Sequence, residues 1–172
     1  MNRFLDTEKA LEAIVYVSYK TNDLFHIVKT LYYADKIHLE NYGRLITGDC
    51  YRAMEDGPVP SGAYDLIKRA RGDRQMYEAR IIEAHPEEVI QIKNNDDVSP
   101  LREPNFDVLS ESDIECLNEA IGLYAHMDIA QLWRIVHEEE AYKKTRINDQ
   151  MQLKDIVLSL PTGKEVLEYL DS

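Results

Sequence analysis

The segment that most constrains the fold is residues 41–60, where a long helical pattern stops and a short extended stretch runs into a Gly-Pro turn. The pattern of residues 23–42 predicts a helix, and Gly43 stands where a left-handed glycine satisfies the last carbonyl groups. Residues 50–54 have the mixed polar and apolar composition of a short strand. Gly57 and Pro58 supply a permissive residue followed by a fixed φ, which predicts a turn before a helix capped by Ser61.

The rest of the first half also alternates helices with short extended pieces. Thr7 is predicted to cap a first helix, and either Asn22 or Asp23 to cap the second. Residues 75–84 are predicted to be helical, and residues 89–93 favour a strand that would join residues 50–54 in one small sheet. Two prolines make residues 99–105 a connecting loop or an edge segment.

Three cap patterns organise the second half of the chain. Ser110 with Asp113 predicts a capping box, Asp128 with Gln131 repeats the device, and Thr162 with Glu165 predicts the start of a terminal helix. The helices after the first two caps are expected to form a helical hairpin.

With 172 residues, 44% of them hydrophobic, we expect one domain over residues 1–172. Its predicted class is α+β, a compact and predominantly α-helical domain with a small antiparallel sheet or hairpin.

Two ordered blocks of residues resemble the Panacea domain, the family of SocA-like antitoxins of bacterial toxin-antitoxin systems and related mobile-element proteins. The first block comprises residues 31–35 in the long helix, the linker 43–49, Tyr51 with Ala53, and the turn 57–59. The second begins at Leu109 and includes Leu132-Trp133 and Val136-His137; Val136 stands where the family usually has threonine. The resemblance covers residues 11–146 and rests on the order of the motifs, because any single one arises by chance.

The resemblance implies an antitoxin that neutralises a cognate protein toxin by direct binding, with the toxin encoded by an adjacent gene. Similarity to the SocA branch also implies possible delivery of the toxin to an ATP-dependent protease. The alternatives are a mobile-element regulator that binds a host factor and, with less support, a small hydrolase that uses His137. The antitoxin and regulator hypotheses involve no catalysis, and we therefore expect that the protein is not an enzyme.

The density of motifs predicts where a partner would bind. Gly57 to Val59 form a rigid turn beside a strand, and a preorganised surface lowers the ordering cost of binding. A purely structural role is nevertheless the commoner explanation for such a turn, and a position in the core is the commoner one for a tryptophan placed among apolar residues as Trp133 is. The predicted partner-binding residues are Tyr51, Met54, Gly57, Pro58, Val59, Trp133 and His137.

A formal net charge of -12 argues against nucleic-acid binding by this chain alone, because phosphate contacts depend on clustered Lys and Arg. A basic protein partner suits this charge better. No apolar run approaches the ~20 residues needed to span a bilayer, and the first residues lack the long apolar segment of a secretory signal. We therefore expect no membrane partner and a cytoplasmic location.

Motifs that carry chemistry are scarce in this sequence. His137 is followed by three glutamates, but Ala141 stands where a zinc-protease motif needs a second histidine, and a charged helix face is the simpler interpretation. Cys50 and Cys116 have no second cysteine at metal or redox spacing. We therefore expect no metal, cofactor or catalytic residue. Four further acids are best explained by a helix surface and a turn: Asp35, Asp49, Glu55 and Asp56.

Overall fold

Eight α-helices and two β-hairpins make up the described part of the chain. The computed structural model describes residues 4–78, 81 and 83–172. Its elements are, in order, α1 (Thr7–Ser18), α2 (Leu24–Tyr42), β1 (Tyr51–Met54), β2 (Gly57–Pro60), α3 (Ser61–Arg71), the 3₁₀ turn Pro86–Glu88, β3 (Ile90–Lys93), β4 (Asp97–Pro100), α4 (Glu111–Tyr124), α5 (Ile129–His137), α6 (Glu140–Lys143), α7 (Leu153–Leu158) and α8 (Gly163–Asp171). This is the predicted α+β, predominantly helical architecture.

The first two helices show why caps decide where helices begin. The carboxylate of Asp6 accepts a hydrogen bond from the Lys9 N–H at 2.9 Å, so Asp6 caps α1 and the predicted cap, Thr7, is its first residue. Asp23, one of the two predicted caps, is the residue that caps α2. The helix ends at Gly43, whose φ of +67° is left-handed, which confirms the predicted stop signal.

The strands form two separate antiparallel hairpins. β1 pairs with β2 in a register that sets Met54 opposite Gly57, and β3 pairs with β4. The predicted sheet that joined residues 89–93 to residues 50–54 is therefore wrong. Each strand instead pairs with the segment that follows its own turn, which has the lower loop-closure cost.

The start of α3 differs from the sequence prediction in its cap. Ser61 is the first residue of α3 and its hydroxyl makes no capping hydrogen bond. The buried carboxylate of Asp49 takes over this role, because it accepts hydrogen bonds from the Gly62 N–H at 2.8 Å and the Ala63 N–H at 2.9 Å. A helix N-terminus favours such a negative group.

Two carboxylates that the sequence placed on the surface are buried. Asp49 is 1% exposed and Asp35 is 4% exposed. Asp35 accepts hydrogen bonds from the Ile46 N–H and from the Tyr51 hydroxyl. These two acids therefore hold α2, the 43–49 linker, β1 and α3 together, because a buried carboxylate must be hydrogen-bonded.

The prediction of a helix over residues 75–84 fails for its first four residues, which are not helical. The backbone N–H groups of Tyr77 and Glu78 instead donate to the buried carboxylate of Asp65, at 2.7 and 2.6 Å. Residues 79, 80 and 82 of the predicted helix lie outside the described residues.

The second half of the chain follows two of its three predicted cap patterns. Ser110 and Asp113 form the predicted reciprocal capping box at α4, and Asp128 caps α5. Thr162 precedes α8 without a side-chain cap.

Buried side chains from all eight helices belong to one hydrophobic cluster, with α2 packed against α1, α4, α7 and α8. In the described part of the chain, no helix combines the length and the apolar composition required to cross a bilayer.

Candidate partner-binding cleft

The turn between β1 and β2 requires glycine for two reasons. Gly57 has φ +104°, which L side chains rarely adopt, and a Cβ built there would lie 2.7 Å from Val136 Cγ2. Cβ atoms essentially never come that close to another heavy atom, so any other residue at this position would force Val136 to move. Glu55 and Asp56 at the tip are exposed. The glycine therefore lets α5 pack directly on the turn while two carboxylates face solvent.

Side chains from α5 and α6 fix the same turn through its carbonyl groups. His137 Nε2 lies 2.7 Å from the Glu55 carbonyl oxygen, and Nδ1 lies 2.6 Å from the Trp133 carbonyl oxygen. The Tyr142 hydroxyl donates to the Met54 carbonyl oxygen at 2.7 Å. The Trp133 and His137 rings stack with centroids 3.7 Å apart. Residues distant in sequence thus hold one rigid surface.

Lys29 on α2 supports the turn from below. Its side chain is fully buried, and Nζ donates to the Pro58 carbonyl oxygen at 2.9 Å and lies 5.2 Å from the Phe25 ring centroid. Burial lowers the pKa of Lys29 to about 7, while the negative charge of Asp56 opposes that shift. Burial disfavours the charged form of an amine that has few polar partners.

A surface cleft of about 550 Å³ opens beside this turn. This volume is within the range of roughly 300–1,000 Å³ that is usual for sites that bind small molecules. Trp133 and Ile129, one turn apart on α5, line it and are 45% and 57% exposed. The apolar side chains that line it are Leu24, Phe25, Val28, Met54, Val59, Ile129 and Trp133.

Four carboxylates line the same cleft, from three separate parts of the chain: Asp23, Glu55, Asp56 and Asp96. Asp96 reaches it because its carbonyl oxygen accepts a hydrogen bond from the Leu24 N–H at 2.9 Å, which seats the β3–β4 turn against the start of α2. Asp23 is engaged with His26 at 2.6 Å. Within the described residues, Glu55, Asp56 and Asp96 form no ion pair and are exposed. The lining of the cleft therefore combines apolar side chains with exposed carboxylates.

The predicted site residues separate into three groups in the structure. Met54, Val59 and Trp133 line the cleft. Gly57, Pro58 and His137 hold the turn that borders it, with both Gly57 and Pro58 buried. Tyr51 is 1% exposed, and its hydroxyl donates to Asp35 inside the protein. A partner would therefore meet β1 through Met54 and not through the Tyr51 ring.

Sequence reasoning missed Phe25, Ile129 and Asp96. Phe25 lies two residues after the cap Asp23 and Ile129 one residue after the cap Asp128, and both caps had been predicted. The spacing of Ile129 and Trp133 at i and i+4 was also visible. Asp96 had no local signal, because its position depends on the contact between the β3–β4 turn and α2.

The geometry around His137 bears on the hydrolase alternative. Both ring nitrogens face backbone carbonyl oxygens, and in the described part of the chain no hydrogen bond or ion pair joins His137 to a carboxylate. A general base requires an orienting group and access to a substrate proton. No group of three or more His, Cys, Asp or Glu side chains in the described ranges is arranged to hold a metal ion.

The fold and the cleft define a class of protein: a small, predominantly helical domain in which two distant motif blocks meet at one surface. A family model for the antitoxin SocA-like, Panacea domain matches residues 27–143. This is well over half of the chain, so the protein belongs to that family, which confirms the resemblance found in the sequence. No curated protein and no solved structure matches the chain.

Proposed function

We propose that this protein is a cytoplasmic antitoxin that neutralises a cognate protein toxin by direct, non-catalytic binding. The observation that carries the proposal is the family match, because it covers the region from α2 to α6 and the family is one of antitoxins. Inhibition by binding requires an accessible and preorganised surface. The cleft has both properties, since its border is fixed by Lys29, His137 and Tyr142 while Trp133 remains exposed.

The toxin-binding surface in this proposal is the cleft with its β1–β2 turn. Exposed aromatic side chains in concave sites are the usual anchors of protein interfaces. Trp133 supplies such an anchor, and Met54 and Val59 extend the apolar area next to it. Steric occlusion of the toxin is the mechanism; delivery of the bound toxin to an ATP-dependent protease is an additional step that the SocA branch implies.

A co-expression experiment tests the antitoxin proposal. The gene is cloned with its immediate chromosomal neighbour, each is induced alone and together, and growth is followed together with affinity pull-down of the pair. We expect the neighbour alone to arrest growth, and the pair to grow and to yield a complex. A version of this gene with an early stop codon is the control, because it keeps the transcript but not the protein.

The outcomes separate the alternatives. Rescue with toxin at its normal level indicates occlusion, whereas rescue with loss of the toxin indicates proteolytic delivery. A harmless neighbour that forms no complex contradicts the proposal and favours a mobile-element regulator that binds a host factor. Activity against ester or amide substrates that disappears in His137→Ala would instead favour the hydrolase.

A further inference from the structure

The β1–β2 hairpin offers no free edge for an added strand. The outer edge of β1 is already occupied, because the Ala53 N–H donates to the Asp149 carbonyl oxygen at 3.0 Å and the Tyr51 carbonyl oxygen accepts from the Met151 N–H at 2.7 Å. In β2, Pro58 and Pro60 have no N–H to donate. Strand addition, a common mode of peptide recognition, therefore does not suit this hairpin. Recognition has to proceed through side chains.

The cleft has room for such side chains and an apolar surface to receive them. Trp133 and Ile129 form an exposed apolar pair on one side, and Phe25 lies on the side formed by α2. Burying large apolar side chains is the main favourable contribution at the centre of an interface. One or two aromatic or aliphatic side chains of a partner fit this description.

The exposed charged side chains that line the cleft are all negative. Glu55, Asp56 and Asp96 are exposed and line the cleft, and Lys29, the basic residue of the same lining, is fully buried beneath the turn. The whole chain carries a formal net charge of -12. Carboxylates within a Debye length of about 8 Å of a bound charge act on it at physiological salt. An acidic partner segment would be repelled and a basic one attracted.

Resting on the antitoxin function proposed above, we propose that the cleft binds a cationic segment of the toxin through its side chains. An aromatic or aliphatic side chain of that segment packs between Phe25 and Trp133, and flanking Lys or Arg side chains face Glu55, Asp56 and Asp96. The complementary charges set the encounter rate and exclude acidic partners, while the apolar contact supplies most of the affinity.

The free protein allows a first test, because Trp133 is the one tryptophan of the sequence and reports on the cleft alone. Quenching of its fluorescence is measured with caesium, a cation, and iodide, an anion. We expect the ratio of caesium to iodide quenching to fall at least twofold in the triple variant Glu55→Gln, Asp56→Asn, Asp96→Asn. The control Glu165→Gln, Glu168→Gln, Asp171→Asn removes the same charge from α8 and should leave the ratio unchanged. Equal ratios in all three proteins would overturn the proposal.

A second test uses synthetic peptides as probes of the occupant. The probe is a tryptophan-free twelve-residue peptide with four arginines around one phenylalanine and one leucine. Two control peptides are compared with it: a glutamate twin, in which glutamate replaces each arginine, and a serine twin, in which serine replaces both apolar residues. We expect saturable binding of the first peptide, seen as a blue shift of Trp133 emission, and at least tenfold weaker binding of either twin. The cleft triple variant should also bind it at least tenfold more weakly. Absent binding of the arginine peptide, or equal binding of the glutamate twin, would overturn the proposal.

Binding of the protein encoded by the adjacent gene distinguishes a failure of this inference from a failure of the antitoxin function on which it rests. If the wild-type complex forms but the cleft triple variant and the α8 control bind the toxin equally well, the antitoxin function stands and the cationic-segment proposal fails. If no complex forms, the antitoxin proposal fails, and the peptide measurements still decide the chemistry of the cleft.

Discussion

At the scale of single residues, Lys29 and Asp49 are buried groups whose pKa values shift in opposite directions. Burial lowers the pKa of Lys29 to about 7. Burial raises the pKa of Asp49 to about 7, although hydrogen bonds from the N–H groups of Ala63, Gly62 and Cys50 oppose this shift. Both groups therefore link folding to proton binding near neutral pH, with opposite signs.

The wild-type protein should become more stable as the pH rises above neutral, and replacing Lys29 by methionine should remove this gain. The folded-state pKa lies below the unfolded value of about 10.4, so the native state binds fewer protons between pH 7 and 10, and its free energy of unfolding rises with pH in that window. We expect this rise from pH 7 to 9 in the wild-type protein and a flatter profile in Lys29→Met. Urea denaturation at each pH measures it, and parallel profiles for the two proteins would contradict the assignment.

Asp49 gives the opposite slope in a lower pH range. Its folded-state pKa lies above the unfolded value of about 3.9, so the native state binds more protons, and stability falls as pH rises from 4 to 7. Asp49→Asn should reduce this fall. It should also lower stability by about 1–3 kcal/mol, because the amide NH₂ does not accept the Ala63 N–H. Exposed Asp107→Asn is the control; a variant that keeps the full wild-type slope would contradict the prediction.

At the scale of elements, the contact between α5 and the β1–β2 turn builds the cleft. Gly57 makes that contact possible, because Val136 Cγ2 occupies the space where a Cβ would lie. His137 and Tyr142 then hold the turn through its carbonyl oxygens. The turn and the helix consequently behave as one surface, and a change that separates them should alter the environment of Trp133.

Gly57→Ala should destabilise the protein more than Gly72→Ala. The two glycines have similar φ values, +104° and +97°, but a Cβ at Gly72 meets no heavy atom within 4 Å. Both variants therefore share the backbone strain, of order 1–3 kcal/mol, and Gly57→Ala adds overpacking against Val136, of about 1–3 kcal/mol. Thermal and urea unfolding measure the difference. Equal losses would show that Val136 accommodates the added Cβ at no cost and would contradict the predicted overpacking.

The elements show where sequence reasoning succeeds and where it stops. The end of α2 at Gly43 and the capping box of α4 are local signals, and both were predicted. β2 was predicted only as a turn, because two of its four residues are prolines and proline is normally depleted in strands. The cap of α3 by Asp49 was missed, since its partners are thirteen and fourteen residues away.

At the scale of the whole molecule, the cleft exists because distant segments converge. The sequence indicated the turn and the Trp133 helix as separate blocks, and they lie side by side in the structure. It did not indicate that α2 and the β3–β4 turn would complete the cleft with Phe25 and Asp96. Tyr51 was chosen from the motif alone, and its burial depends on the fold of the entire chain. Pattern reasoning finds candidate residues, while tertiary packing decides which of them are accessible.

The most direct test of the central claim is the affinity of the purified complex between this protein and the product of its adjacent gene, measured by titration calorimetry for Trp133→Ala and for Tyr169→Ala. Tyr169 is also an exposed aromatic residue, 67% accessible, but lies on α8 away from the cleft lining. If the cleft is the toxin-binding surface, Trp133→Ala loses about 2 kcal/mol, roughly a thirtyfold weaker complex, while Tyr169→Ala binds as the wild type does. Wild-type affinity in Trp133→Ala would contradict the account.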